Sequence, residues 1–127
     1  MLKRLAAIRG RAWGGWLLGA LIAGATIMPI CDMHFDCGCS WPGPGAYAHC
    51  DIHTQGPPDC PWCTGWTSFL SAMAVSYGLS LAVALWVAPR APFPLVVLAG
   101  FAGVVGGAVL AGVATSLALG LPVFAGL

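Results

Sequence analysis

Residues 94–119 read PLVVLAGFAGVVGGAVLAGVATSLAL, without one ionisable side chain. A helix rising about 1.5 Å per residue needs roughly 20 apolar residues to cross a hydrocarbon layer about 30 Å thick. This run meets that requirement with some tilt. Upstream, residues 66–88 and 13–30 repeat the pattern, again with no Asp, Glu, His, Lys or Arg. The expected fold is an all-α integral membrane protein: three transmembrane helices, with an irregular Cys/His-rich extracytoplasmic loop between the first two. The whole chain agrees, since 59% of its 127 residues are hydrophobic and only 7% charged, against about a quarter charged in a soluble domain.

Charge placement sets the expected orientation. Lys3, Arg4, Arg9 and Arg11 precede the first span and Arg90 lies between the second and third. By the positive-inside rule both places face the cytoplasm. Residues 1–12 then form a cytoplasmic basic tail, 13–30 transmembrane helix 1, 31–65 a periplasmic loop, 66–88 transmembrane helix 2, 89–93 a cytoplasmic turn, 94–119 transmembrane helix 3 and 120–127 an apolar tail. Trp13, Trp16, Trp66 and Trp86 fall near span ends, where indole favours the headgroup region. The localisation implied is a bacterial inner membrane, with N-terminus inside and C-terminus outside. A cleavable signal peptide is the rival reading of the basic start and the apolar run that follows it.

Each span carries small residues four apart. Gly15 and Gly19 mark the first, Ser76 and Ser80 the second, Gly103 and Gly107 the third. In lipid, hydrophobicity does not drive helices together, so such seams matter because they allow close backbone approach. They predict a compact bundle or docking onto other membrane subunits. The alternating prolines Pro89, Pro92 and Pro94 oppose helix continuation and predict a tight hairpin. Spans without ionisable groups argue against a self-sufficient pump or transporter.

The chemistry is concentrated in the loop. It contains Cys31-Asp-Met-His34-Phe-Asp-Cys37-Gly-Cys39, then His49-Cys50-Asp51-Ile52-His53, then Asp59-Cys60-Pro61-Trp62-Cys63. Acids and histidines are excluded from spans by solvation cost, so their place here is partly enforced. Cysteine is tolerated in apolar surroundings, yet all six lie in this segment. There is no Lys or Arg between positions 31 and 65, so the loop attracts cations.

Metal coordination is the leading reading. Cys37, Cys39, Cys60 and Cys63 would supply one four-thiolate set, and Cys31, His34, Cys50 and His53 a second centre. Soft sulfur and imidazole ligands suit zinc, and after it copper, over magnesium or calcium. No Cys-x-x-Cys-His haem attachment sequence is present. A disulfide framework is the second reading, since a short loop in an oxidising compartment cannot build its own core. The third is a membrane thiol oxidoreductase, in which Cys60-Pro-Trp-Cys63 stands before a helix that Thr64 can cap, favouring the thiolate. Pro42-Gly-Pro-Gly45 and Gly56-Pro-Pro58 are turn formers separating the clusters.

Other classes lack support: no serine, histidine and acid set outside the loop, no phosphate-cradling glycine loop, and no basic aromatic patch for nucleic acid. The sequence reads as a small accessory subunit of a membrane complex ahead of an enzyme, with the lipid bilayer and other membrane subunits as partners.

Overall fold

The computed structural model of the chain describes residues 2–38, 60–62, 66–125 and 127. Among them the secondary structure is entirely helical: α1 (Leu2–Gly24), α2 (Ile27–Phe35), α3 (Trp66–Val87) and α4 (Phe93–Leu119). Two helices, α3 and α4, are long and apolar enough to cross a membrane, and α1 with α2 makes a third candidate if the bent pair is one span.

Their composition explains the all-round apolar surface. Leu98, Leu110 and Leu117 on α4, Leu70 and Leu85 on α3, and Leu17, Leu21 and Ile22 on α1 are exposed, whereas Ala72, Ser76, Ser80 and Ala84 of α3 are buried. A soluble bundle would invert that pattern; with lipid as solvent, large side chains face outward and small ones face each other. The turn after α3 closes with Arg90 and Ala91 amides donating to the Val87 carbonyl. Pro92 is the N-cap of α4, and Pro94 occupies its first turn, where an N–H would have no partner.

Helix α4 is the centre, packing on each of the other three. The contacts on α3 are backbone-close. A Cβ built on Gly103 would stand 2.5 Å from Ser80 Cα, and one on Gly107 2.6 Å from Ser76 Cα. Ser80 Oγ donates to the Gly100 carbonyl across this seam at 2.6 Å. On the α1 side, a Cβ on Gly19 would meet the Val97 carbonyl oxygen at 2.5 Å and one on Gly15 would meet Val96 Cγ1 at 2.6 Å. At Gly103, Gly107 and Gly19 these distances require glycine, because no rotamer moves a Cβ away from a neighbouring backbone.

The first segment differs from a single helix over residues 13–30. Helix begins at Leu2, stops at Gly24, and resumes at Ile27, with a bend of 55° between residues 6–24 and 29–35. Pro29 has no amide proton to continue the ladder, and Thr26 folds back, its amide and its hydroxyl both donating to the Ala23 carbonyl. The bend turns α2 onto α4. Consequently Cys31, Asp32 and His34 stand on a helix, not in an irregular loop.

The interior divides into three packed layers. Ala12, Ala84, Ala88 and Val96 form one beside the α3–α4 turn; Ala20, Ala23, Ile27 and Val104 form the middle one. The third contains Ile30, Trp62, Ala72, Ala108 and Ala111 together with Cys31, Cys37 and Cys60.

Candidate metal centre

Two separate stretches of chain bring the sulfurs together. Cys31 is fixed in the first turns of α2, whose Ile30 faces the same layer. The helix ends at Asp36 in a left-handed conformation, φ 50°, with its amide donating to the Asp32 carbonyl at 2.7 Å. The Gly38 amide then donates to Asp32 Oδ1 at 2.6 Å. This reversal folds Cys37 back over Cys31. Cys60 belongs to a second stretch, held by Trp62 two residues on, whose Nε1–H donates to Thr115 Oγ1 at 3.1 Å. Thr115 is itself anchored, donating to the Ala111 carbonyl at 2.8 Å.

The resulting cluster is buried. Cys31 is 2% exposed and Cys37 and Cys60 are fully buried. Cys31 Sγ lies 2.8 Å from Cys60 Sγ and 3.8 Å from Cys37 Sγ, and all three sulfurs fall within 4.8 Å of one another. Neither close pair is at the roughly 2.05 Å of a disulfide. Three sulfurs so placed can hold a metal ion.

His34, one turn beyond Cys31, is outside this group. It is fully buried, and its Nδ1–H donates to the Ile30 carbonyl at 3.0 Å, so the remaining ring nitrogen is Nε2. That nitrogen has no hydrogen-bond partner among the described residues. It faces α4, where a Cβ on Gly112 would come 2.7 Å from it. Trp62 stacks beside the imidazole at 6.5 Å, and Phe124 lies over it with ring centroids 4.5 Å apart. The chain end is tied to the same helix, since the Ala125 amide donates to the His34 carbonyl. Ser116 Oγ, one turn from Gly112 on α4, is a second buried polar atom without a partner among the described residues.

The depth of the centre is set by α4. Gly112, against which His34 packs, lies about two turns, roughly 10 Å, before the end of that helix at Leu119. The cysteines share their layer with Ala108 and Ala111, further in still. Beside Cys60, a cleft of about 560 Å³ opens between Pro61, Ser68 and Ser71 on one side and Ala114, Thr115, Ala118 and Leu119 on the other.

The two ligand sets expected from spacing are therefore mixed, as the trio takes Cys31 from one and Cys37 and Cys60 from the other. Cys39, Cys50 and Cys63, like His49 and His53, lie outside the described residues. So does Thr64, expected to cap the following helix. Sequence reasoning missed Gly112, Thr115 and Phe124 as the supports of the centre. Gly112 is one position off the small-residue seam of Gly103 and Gly107, and only the bend before α2 brings a histidine against it.

The positive charges are at the far end. Arg11 Nη1 donates to the Ala91 carbonyl at 3.5 Å, which joins the start of α1 to the α3–α4 turn. Comparison of the chain with family models, with curated proteins and with solved structures finds no match.

Proposed function

We propose that this chain is a small accessory subunit of a bacterial membrane complex, whose helices hold a thiophilic metal ion at their extracytoplasmic end. One observation carries the reading: Cys31 and Cys37, on one short stretch, converge with Cys60, 29 residues beyond Cys31, in a buried layer with their sulfurs within 4.8 Å. Buried thiols need no such convergence for packing alone, since each occupies the volume of a small apolar side chain. Zinc, the expectation from spacing, would take these three sulfurs among its four ligands; copper is the other ion that suits sulfur. Orientation follows from the cations gathered around Arg11 and Arg90, and the partners are other membrane subunits that share the bilayer.

The test is elemental analysis of the full chain, purified reduced and without oxygen. About one equivalent of a thiophilic ion, lost with a chelator or when Cys37 is replaced by serine, is expected. Less than about a tenth of an equivalent, together with failure to take up any added thiophilic ion, rejects the reading.

A second reading is favoured by the 2.8 Å approach of Cys31 and Cys60 sulfurs. In an oxidising compartment these two would form a bridge stapling α2 to the segment before α3. Peptide mapping without reductant separates the cases: a Cys31–Cys60 cross-linked peptide in the native protein supports the staple, and its absence leaves the metal site.

A further inference from the structure

All five basic side chains of the protein, at positions 3, 4, 9, 11 and 90, belong to the start of α1 and to the α3–α4 turn. Arg11 Nη1 donates to the Ala91 carbonyl at 3.5 Å, beside Arg90. Arg90 Nη1 donates to the Trp86 carbonyl, and its guanidinium lies over the Trp86 ring at 5.2 Å. Two arginines far apart in sequence are thus fixed on one turn, each through a single nitrogen of a group that carries several further N–H donors. Among the described residues neither guanidinium has an acidic partner. The acids of the chain, Asp32, Asp36, Asp51 and Asp59, all lie in sequence between Cys31 and Cys63. That segment ends at the start of α3, whose 22 residues, roughly 33 Å of helix, lead from there to the turn.

The charged turn runs directly into apolar surface. Within two turns of it along α1, α3 and α4, Trp13, Leu17, Leu85, Trp86, Phe93 and Leu95 are exposed. An occupant that matches both parts needs an anionic group at the turn and apolar chains beside the helices. A phospholipid of net negative charge has both in one molecule. Free phosphate lacks the chains, an acidic protein segment matches the charge alone, and a zwitterionic lipid carries a cation of its own beside the phosphate. Guanidinium meets phosphate oxygens through paired N–H groups, and indole favours the headgroup region.

We propose that the α3–α4 turn is a headgroup site for an anionic phospholipid. Arg11 and Arg90 donate to the phosphate, Trp86 supports the Arg90 guanidinium, and the acyl chains lie along the exposed leucines. Because the Ala91 and Trp86 carbonyls already hold both arginines, little side-chain freedom is left to lose on binding. Lys3 and Arg4 stand apart from this site. Helix α1 is continuous from Leu2, and Arg4 precedes Arg11 by two turns, about 10 Å along the axis. The headgroup layer is only about 5–7 Å deep on each side of the hydrocarbon, so those two act on the phosphate through the diffuse field of the patch alone. The site needs these helices to lie in a bilayer and is independent of the metal centre; elemental analysis and lipid retention fail separately.

The full-length chain in a mild nonionic detergent is offered equal amounts of phosphatidylglycerol and phosphatidylcholine with the same acyl chains, and native mass spectrometry counts the lipids retained. Phosphatidylglycerol is expected to be preferred by roughly tenfold or more. Arg11→Gln combined with Arg90→Gln is expected to weaken its retention roughly 25-fold, about fivefold for each cation removed from an anionic lipid surface. Lys3→Gln combined with Arg4→Gln removes the same charge from outside the site and is expected to cost less than about fivefold, and less still in high salt. Equal retention of the two lipids by the wild-type chain overturns the proposal, and that comparison depends on no variant folding. Equal losses from the two double variants overturn it as well, since they mean a diffuse basic surface in place of a site. Displacement of the lipid by inorganic phosphate or by a polyglutamate peptide at matched concentration overturns the choice of a lipid as occupant.

Discussion

The two ends of the helical bundle handle polarity in opposite ways. At the end bearing the α3–α4 turn, charge is kept at the surface and used locally: Arg90 Nη1 donates to the Trp86 carbonyl at 2.6 Å while its guanidinium lies 5.2 Å from the Trp86 ring. Arg11 reaches the Ala91 carbonyl in the same turn. Arg90 thereby caps a carbonyl that the C-terminus of α3 leaves unpaired, and Arg11 one in the turn itself. At the opposite end the polar groups are drawn inside. Three cysteines and His34 are buried, and the imidazole Nε2 and Ser116 Oγ have no partner among the described residues. One end is solvated chemistry with packing beneath it. The other is chemistry built into the packing, and it is held by α4, which both ends share.

That contrast can be broken most severely at the shared helix. Gly107→Val places a side chain where even a Cβ lies 2.6 Å from Ser76 Cα and 3.1 Å from the Val75 carbonyl oxygen. Since backbone cannot rotate aside, α3 and α4 must separate, at about 3 kcal/mol or more. The midpoint of unfolding in a denaturing detergent titration is expected to fall sharply, and an unchanged midpoint would show that the seam is not a contact.

Gly112→Ala acts at the cysteine end alone. The added methyl meets the His34 ring, 2.5 Å from Cδ2, and that ring is confined by Phe124 and by Trp62. A loss of about 1–3 kcal/mol is expected. Faster alkylation of Cys31 should accompany it as α2 shifts from α4. If alkylation is unchanged while stability falls, the cysteine layer is independent of the His34 contact.

The smallest effect is expected at the solvated end. Arg90→Gln removes an exposed ring contact and one carbonyl partner, so stability should change by less than about 1 kcal/mol. A larger loss in the same detergent titration would mean that this end also relies on buried electrostatics.

Much of the frame was legible because it follows from solvation alone. Runs such as residues 94–119 without an ionisable group read as helices in lipid whatever packs against them, and the structure has helix over Phe93–Leu119 and Trp66–Val87. The small-residue positions Gly103 and Gly107 were visible for the same reason: periodicity needs no knowledge of a partner. The interruption after Gly24 was harder to see, because Pro29 lies within the apolar run 13–30, whose composition alone reads as one span. Its consequence is large, since it puts Cys31 and His34 on a helix turned against α4.

Sequence by itself determined that this chain carries runs long and apolar enough to cross a membrane, that its cations gather toward one end, and that its cysteines crowd into one segment. Those properties are sums over residues, and each residue contributes its solvation cost regardless of its neighbours. Which sulfurs meet was decided only by tertiary structure. Cys37 is brought back by the left-handed turn at Asp36, and Cys60 is delivered by the Trp62 anchor on Thr115. Both depend on the bend that sets α2 against α4. Spacing along the chain joins Cys37 to Cys39 and Cys60 to Cys63; the fold joins Cys31 to Cys37 and Cys60. Contacts between distant segments are set by the geometry of the whole bundle, and short-range spacing carries no record of them.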